Sequence, residues 1–384
     1  MRIFLSMSPS GNANVPESKT WLHNLYEPLL DLGHDVFLVN IDKAARYLNV
    51  DRRSTSFKDK FSNYVLKIFK DENKNNQFDL FLSYFTDNTI YPDVIDEIKR
   101  ESVPTANFSC NNTHQFYLVG KISPHYDFNL HSEKHARGKF KRINANPVWF
   151  QMAANPKYYH PITTNEIYDV TFVGSNYAKR SNYIWHLLEN GINVDCFGPN
   201  WLLNKPMPFL RNIIKESKRN YHVLKTLVSF SSTKRNKYSS IIALYDFNRH
   251  LRKKYKNRFH YPVPDELMIK IYSQSKINLG FLEVFDNHNP SLIVKQHLHL
   301  REFEVPMCGA LYFTNYCDEL SEFYEPDKEI VIYRNQHELF DKVNYYLSNP
   351  AQAEKVRKRG YERAVKCHSY QKRFQDLFDK ISLK

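Results

Sequence analysis

The sequence predicts an α/β protein built from two doubly wound parallel sheets. Apolar, β-rich runs of five or six residues alternate with helix-patterned stretches along the chain, and glycines fall where the helices should stop. The alternation breaks around Ala153-Ala154-Asn155-Pro156 and restarts at Tyr168. At 384 residues the chain can hold two domains, each burying its own core. The expected division is a first domain over 1–160, a second over 161–370, and a terminal helix over 371–384 that packs back on the first.

In the first domain, Arg2 to Met7 reads as an opening strand, followed by a polar loop, Ser8 to Pro16, that contains Asn12 and Asn14. Ser18 is placed to N-cap a helix running to Leu32, which Gly33 closes before the strand Asp35 to Val39. Strand Leu80 to Tyr84, helix Pro92 to Glu101, and strands Thr105 to Phe108 and Tyr126 to Leu130 follow. Ligands of such sheets sit at the carboxyl ends of strands. Those ends carry Thr86-Asp87-Asn88, Asn107 to Asn112 and His131. Asp87 and His131 are the candidate general bases for an acceptor hydroxyl, although a turn aspartate or a satisfied loop histidine is the commoner use of such residues. Asn12, Asn14, Trp21 and Asn111 are the candidate acceptor contacts. The first loop has no GxGxxG, which argues against a dinucleotide-binding dehydrogenase.

The second domain opens with the strand Tyr168 to Val173, which ends in Gly174-Ser175, with Lys179 and Arg180 soon after. Helix Asn182 to Asn190 leads to strand Asn193 to Phe197, which ends in Gly198-Pro199-Asn200-Trp201. Glycines at strand ends let a backbone approach a phosphate or base; turn formation alone is the other reading. Helix Asp265 to Ser273, strand Ile277 to Phe281 with Gly280, and the polar loop Asp286 to Ser291 come next. Then Leu300 to Asn315 forms an αβ joint: a short helix, Gly309 where a helix C-cap takes a left-handed residue, and a buried strand, Ala310 to Thr314. Pro306, lacking an amide, should end that helix in its last turn. Arg301 and Glu304, three apart, share one helical face near an N-terminus whose free amides attract anions, with Lys295 and His299 close by. A glutamate there can accept two hydrogen bonds from vicinal ribose hydroxyls; a surface ion pair is the alternative. Strand Glu329 to Tyr333, helix His337 to Leu347 and two terminal helices reaching Ile381 complete the chain.

Composition narrows the setting. Five cysteines without a CxxC pair or metal spacing suit a reducing cytosol. No apolar run approaches the roughly 18 residues of a membrane span, and the apolar start is too short for a signal peptide, so a cytoplasmic location is expected. The formal net charge is +13. Residues 201–261 hold 15 Lys/Arg against two acidic residues, and the remainder balances at 39 of each sign. That basic segment, with amphipathic pieces such as Phe209 to Lys215, favours an anionic partner: a membrane surface at the inner face, a polyanionic acceptor, or nucleic acid. A merely solvated basic face is the alternative. Aromatics make up 15% of the chain; Trp21 and Trp201 are placed to stack on a sugar or base, while most of the rest must be core.

Two such sheets facing across a cleft suit the joining of two substrates. The chain has no Asp-x-Asp, which argues against a metal-chelated diphosphate. Arg, Lys and helix N-termini would instead stabilise a leaving nucleoside diphosphate. This is the logic of a metal-independent glycosyltransferase with no cofactor beyond a nucleotide-sugar co-substrate, a UDP-sugar first. The motifs Thr20-Trp21, Asn24 to Val36, Asp79 to Phe85, Gln115 to Val119, Ala153 to Pro156, Asp169 to Gly174 and Arg301 to Gly309, in this order, resemble the CgeB-like glycosyltransferases. The resemblance implies a GT-B fold, with acceptor on the N-terminal domain and nucleotide sugar on the C-terminal one. It makes Glu304 the ribose-binding glutamate and puts Gly174, Arg180, Gly198 and Lys295 around the diphosphate and base; Ser175, Pro199, Gly280, His299 and Arg301 are the further candidate nucleotide-sugar contacts. Similarity to the retaining branch implies retention of anomeric configuration, although Gln296 stands where those enzymes carry a first glutamate, eight positions before the second. The expected activity is transfer of a sugar to a glycan, surface-polymer or protein acceptor. Transfer to nucleic acid through the basic segment, and a non-catalytic nucleotide-sugar-binding structural protein, are the alternatives.

Overall fold

The computed structural model describes residues 1–10, 15, 18–202, 247, 249–285 and 294–383. The candidate contacts Asn12 and Asn14, the amphipathic piece Phe209 to Lys215 with most of the basic segment, and the polar loop from Asp286 to Ser291 lie outside the described residues.

The first sheet comprises β1 (Arg2–Met7), β2 (Asp35–Asn40), β3 (Leu80–Ser83), β4 (Thr105–Ser109), β5 (Phe128–His131) and β6 (Pro147–Trp149), ordered β2-β1-β3-β4-β5-β6 with every neighbouring pair parallel. β1 is central and buried from Ile3 to Met7, as its unbroken apolar run requires. The second sheet comprises β7 (Tyr168–Val173), β8 (Val194–Phe197), β9 (Phe259–His260), β10 (Ser275–Leu279), β13 (Tyr312–Asn315) and β14 (Val331–Tyr333), ordered β14-β13-β10-β7-β8-β9 and again parallel throughout. An antiparallel pair, β11 (Glu283–Phe285) and β12 (Val294–Gln296), stands apart from it.

Some elements depart from the sequence reading. Helix Thr55–Asn75 and the short strands β6, β9, β11 and β12 were not expected. The helix buries Phe57, Phe61, Val65 and Phe69, setting Phe61 against Phe85 and Phe69 against Phe4 and Phe81. The helix after β1 is not capped by Ser18, whose hydroxyl pairs with Thr20. It runs as a π-helix over Leu22–Tyr26 and as an α-helix over Glu27–Asp31. Pro28 has no amide to donate to the carbonyl four residues before it, and the Glu27 amide reaches back five residues to Leu22. Helix Arg301–Met307 forms as read, with Pro306 in its last turn and Gly309 at φ +64° beyond its end.

One apolar core runs through both halves: Ile3, Leu5, Leu80 and Phe108 of the first sheet are continuous with Phe150, Ala153, Tyr159, Phe303, Val305 and Tyr312. The last helix, Tyr370–Lys380, lies on the first half, where Tyr370 and Phe374 pack on Phe150 and Phe378 on His34. Among the described residues no helix is long and apolar enough to cross a membrane.

Helix Pro350–Cys367 backs helix Arg301–Met307, and Gly360 makes that approach possible. A Cβ there would lie 2.2 Å from the Glu329 carbonyl and 3.9 Å from Pro306. Gly360→Ala would raise helix propensity, yet overpacking against backbone should win, lowering stability by about 1–3 kcal/mol. A fall in the thermal unfolding midpoint checks this; an unchanged or higher midpoint refutes it.

Candidate active site

The site is built at the carboxyl ends of β7, β10 and β13 and on the facing loops of the first half. Helix Arg301–Met307 is fixed there by Glu302, which is fully buried. Its carboxylate accepts from the His299 amide, as a residue capping a helix start does, and from the Tyr312 hydroxyl on β13. Arg301 donates through Nε to the Val173 carbonyl at the end of β7, with its guanidinium 5.6 Å over the Phe172 ring.

A second guanidinium meets it. Arg180, only 2% exposed, donates to the Ser175 carbonyl (3.0 Å), the Tyr177 hydroxyl (2.9 Å) and the Phe281 carbonyl (3.2 Å), and lies 3.9 Å over the Tyr177 ring. Burial, with the Arg301 charge added, pulls it down to about 10, so it still carries its charge at neutral pH. One buried and one half-buried cation thus gather beside Gly174-Ser175.

Glu304 completes this wall. It is 4% exposed, beside the Tyr159 hydroxyl and Arg301. Burial pushes its carboxyl up to about 7 against the pull of those two neighbours, with Asp265 and Glu302 adding to the rise. A carboxylate has about four lone-pair positions, so this one has capacity left for ligand hydroxyls.

The other wall comes from the first half. A cavity of about 250 Å³ is lined by Asn111, His114 and Gln115 on one side and Tyr177, Val284, His297 and His299 on the other. Asn111, at φ +62°, precedes helix Asn112–Gln115, and the Thr113 carbonyl there receives both Lys139 (2.6 Å) and Lys295 (3.3 Å). Glu133, 1% exposed, accepts from the Thr113 amide (2.6 Å) and lies 3.8 Å from His297 Nδ1. The His297 ring sits 4.2 Å from that of His299 and 5.3 Å from that of His114. Burial lowers His297 and lowers His299 well below the usual imidazole range, so both are neutral at pH 7. Across the same seam, Asp265 accepts from the Lys19 amide (2.8 Å), Gln151 donates to Glu319 (2.8 Å), and Lys134 pairs with Glu322. Among the described residues no group of three or more His, Cys, Asp or Glu is arranged to hold a metal ion.

The structure thus gathers Gly174, Ser175, Arg180, Arg301 and Glu304 on one side, with His299, Lys295 and Asn111 around the cavity. Other candidates fall away. The Asp87 carboxylate is taken by the amides of Lys121 (3.1 Å) and Ile122 (3.0 Å), a loop brace rather than a free base. His131 donates from Nδ1 to the Glu133 carbonyl (2.9 Å), stacks on Phe140 and is pushed down to about 4 by burial, which makes it a walled-in core group. Trp21 is core, edge-on to Tyr84 and Phe108, and Trp201 is fully buried with Nε1 on the Gly174 carbonyl (2.7 Å); neither offers a stacking face. Pro199 is buried and its carbonyl receives the Asn176 amide.

The glycines face their own protein. A Cβ on Gly174 would meet Arg301 Nη2 at 2.6 Å, one on Gly198 the Gly174 carbonyl oxygen at 2.3 Å, and one on Gly280 the Tyr312 hydroxyl at 1.7 Å. The space that a side chain would take at each is filled by the protein itself. The sequence reading missed His114, Gln115, Tyr177, Val284, Glu133 and His297, of which the spacing His297-x-His299 was the one visible trace.

A family model described as "Glycosyl transferase-like" matches residues 184–379. No curated protein sequence matches the chain. Among solved structures, it is similar to a sucrose-phosphate synthase from Thermosynechococcus elongatus (10% identity, 99% of each chain covered, TM-score 0.58). It is equally similar to the Anabaena protein HepE in complex with UDP and glucose (10% identity, 99% of each chain, TM-score 0.58). A glycosyltransferase from Rickettsia africae follows (12% identity, 98% of this chain and 97% of that one, TM-score 0.58). At these identities the likeness establishes the fold.

The buried carboxyl of Glu304 should register in stability. Its folded pKa, about 7, lies above the unfolded value, so the folded chain holds the proton longer and stability falls as pH rises from about 4.5, with the full cost present above about 7. Glu304→Gln should therefore unfold later than the parent at pH 8, by about 1–3 kcal/mol, and the gap should close by pH 5. Urea melts at the two pH values check this; a variant less stable at pH 8 contradicts it.

Proposed function

The chain belongs to the glycosyl transferase-like family and is a GT-B glycosyltransferase, and on that premise we propose that it moves a sugar from a UDP-sugar to a glycan, surface-polymer or protein acceptor, without a metal and with retention. One observation carries the nucleotide reading: Glu304, buried with acceptor capacity to spare, beside the buried Arg180 and half-buried Arg301 guanidinium groups. A ribose diol supplies two donors to the carboxylate, and a diphosphate supplies acceptors for the donor positions that Arg180 and Arg301 have left. As the glycosidic bond to the diphosphate breaks, negative charge grows on the leaving phosphate, and cations held rigidly in a dry site stabilise it without reorganising. Arg180 is held by three acceptors and Arg301 by the Val173 carbonyl, which is the rigidity this requires.

UDP as the nucleotide is supported by the HepE complexes with UDP and with UDP-glucose. The finer, CgeB-like reading rests on the motifs from Thr20 to Gly309 and brings with it retention and an acceptor on the first half. The excess charge of residues 201–261 favours an anionic acceptor or membrane surface.

Calorimetric titration of UDP, GDP and dTDP tests the reading. UDP should bind; Glu304→Gln should bind it about 10–100-fold more weakly, the worth of roughly 1.5–3 kcal/mol for hydrogen bonds to a charged acceptor. Because protonation removes the carboxylate's charge and turns one of its oxygens into a donor, parent affinity should weaken as pH falls below about 7. Failure of all three nucleotides to bind would sink the proposal. Turnover should also survive EDTA, and proton NMR of the first product should show the donor's anomeric configuration; loss of activity in chelator, or inversion, overturns the corresponding part.

A further inference from the structure

Arg180 carries charge that the nucleotide reading needs, yet it shows almost none of its surface. It is 2% exposed, with its guanidinium carbon 3.9 Å from the centre of the Tyr177 ring and 5.4 Å from that of Phe172. Its Nη1 donates to the Ser175 carbonyl, its Nη2 to the Tyr177 hydroxyl and the Phe281 carbonyl, and its Nε is buried with no partner among the described residues. Arg180 is not a wall of the cavity; Tyr177 is, half-buried and facing Asn111, His114 and Gln115. A phenol has one hydrogen to give and an oxygen that accepts. The Tyr177 oxygen accepts from Arg180 Nη2 at 2.9 Å, so its hydrogen is left over, and no acceptor among the described residues takes it. A hydroxyl that accepts from a cation is polarised towards donating in turn.

Resting on the UDP reading above, we propose that Tyr177 is a phosphate-binding residue, whose hydroxyl donates a hydrogen bond to the diphosphate and so passes on the charge of Arg180. A phosphate oxygen fits this donor best. It only accepts, and it carries the charge that the guanidinium behind the phenol attracts, whereas a sugar hydroxyl in the same place gains nothing from that cation. The hydroxyl keeps its own proton; what it supplies is a donor at a surface that Arg180 itself does not reach. The loop is built to hold this arrangement. On one side of Tyr177 the Asn176 amide is tied to the Pro199 carbonyl (2.9 Å), and on the other Ala178, 1% exposed, stands at φ +55°, a left-handed conformation that strains an alanine.

Tyr177→Phe keeps a ring over Arg180 and removes only the hydroxyl. UDP is titrated against the parent and this variant, and uridine, which lacks the diphosphate, is measured by displacement of UDP. The variant should bind UDP about tenfold more weakly, as expected for one lost hydrogen bond to a charged group, and uridine within about twofold of the parent. In parent labelled at the hydroxyl-bearing ring carbon of tyrosine, the Tyr177 resonance, identified by its loss in the variant, should move on addition of UDP and stay in place with uridine. If Tyr177→Phe does not fold, Tyr177→Leu is read in its place. Unchanged UDP affinity in the variant, or a Tyr177 resonance that UDP does not move, overturns the inference and leaves the UDP reading intact. So does tighter UDP binding by the variant, which would make the hydroxyl a screen over Arg180, and so does an equal loss of UDP and uridine, which would make Tyr177 a structural residue. Absence of UDP binding to the parent overturns both readings.

Discussion

The second half of the molecule is organised around a buried carboxylate that touches no substrate in this account, Glu302. Removing such a charge from water costs several kcal/mol and is tolerable only when its oxygens are hydrogen-bonded; one accepts from the His299 amide and the other from the Tyr312 hydroxyl. The consequences spread outward. Tyr312 must lie where a side chain at 280 would be, so residue 280 is glycine; Arg301 must lie where a side chain at 174 would be, so residue 174 is glycine. Gly174 in turn presses on Gly198, whose φ of +150° few other residues adopt, and Trp201 ties to the Gly174 carbonyl. Helix Arg301–Met307 is thus held to β7, β8, β10 and β13 by contacts without slack, and its next turn presents Glu304.

This rigidity explains why four ionisable groups can be buried so close together. Arg180, Arg301, Glu302 and Glu304 are all desolvated, yet only Glu302 and Arg180 are extensively hydrogen-bonded by the protein. Glu304 is held near the midpoint of its titration at neutral pH by its own burial. Sites that bind charged ligands keep such imbalance because the ligand resolves it, and the cost is carried by the rest of the core. Here that core is the apolar mass shared by both sheets, from Leu5 and Phe108 through Phe150 and Tyr159 to Phe303 and Tyr312.

Much of the fold was legible in the sequence because parallel strands announce themselves as continuous apolar runs: β1, β7 and helix Asp265–Ser273 sit where the pattern puts them. Strands of two or three residues, such as β9 and β6, carry too few residues to show a pattern. Helix Thr55–Asn75 did carry one, Phe57, Phe61, Val65 and Phe69 spaced by four, and was legible in principle. The donor wall was partly legible, since Arg301 and Glu304 share a short helix. At the glycines the sequence showed only that something comes close, not what; at the missing Cβ of 174, 198 and 280 it is Arg301, Gly174 and Tyr312 respectively. The histidine cavity was hidden because His114 and His297 meet only through tertiary packing, on opposite sides of the seam.

That seam has two unlike ends, and the difference bears on how the cavity forms. At one end Phe150 packs against Tyr370 and Phe374, and Ala154 bridges to Ser369, so the joint is apolar and tied by backbone. Elsewhere along the seam the two halves meet through polar contacts: Lys295 on the Thr113 carbonyl beside the cavity, and Lys19 on Asp265, Gln151 on Glu319 and Lys134 on Glu322 away from it. An exposed pair such as Lys134 and Glu322 contributes about 0–1 kcal/mol, because water competes for both partners. Burying an aromatic side chain such as Phe374 contributes about 1.5–3 kcal/mol. The energetic asymmetry therefore makes the Phe150 contacts the fixed joint and the polar contacts the weaker part of the seam. A ligand held between Gln115 and His297 would add a contact across the seam beside the one that Lys295 makes with the Thr113 carbonyl.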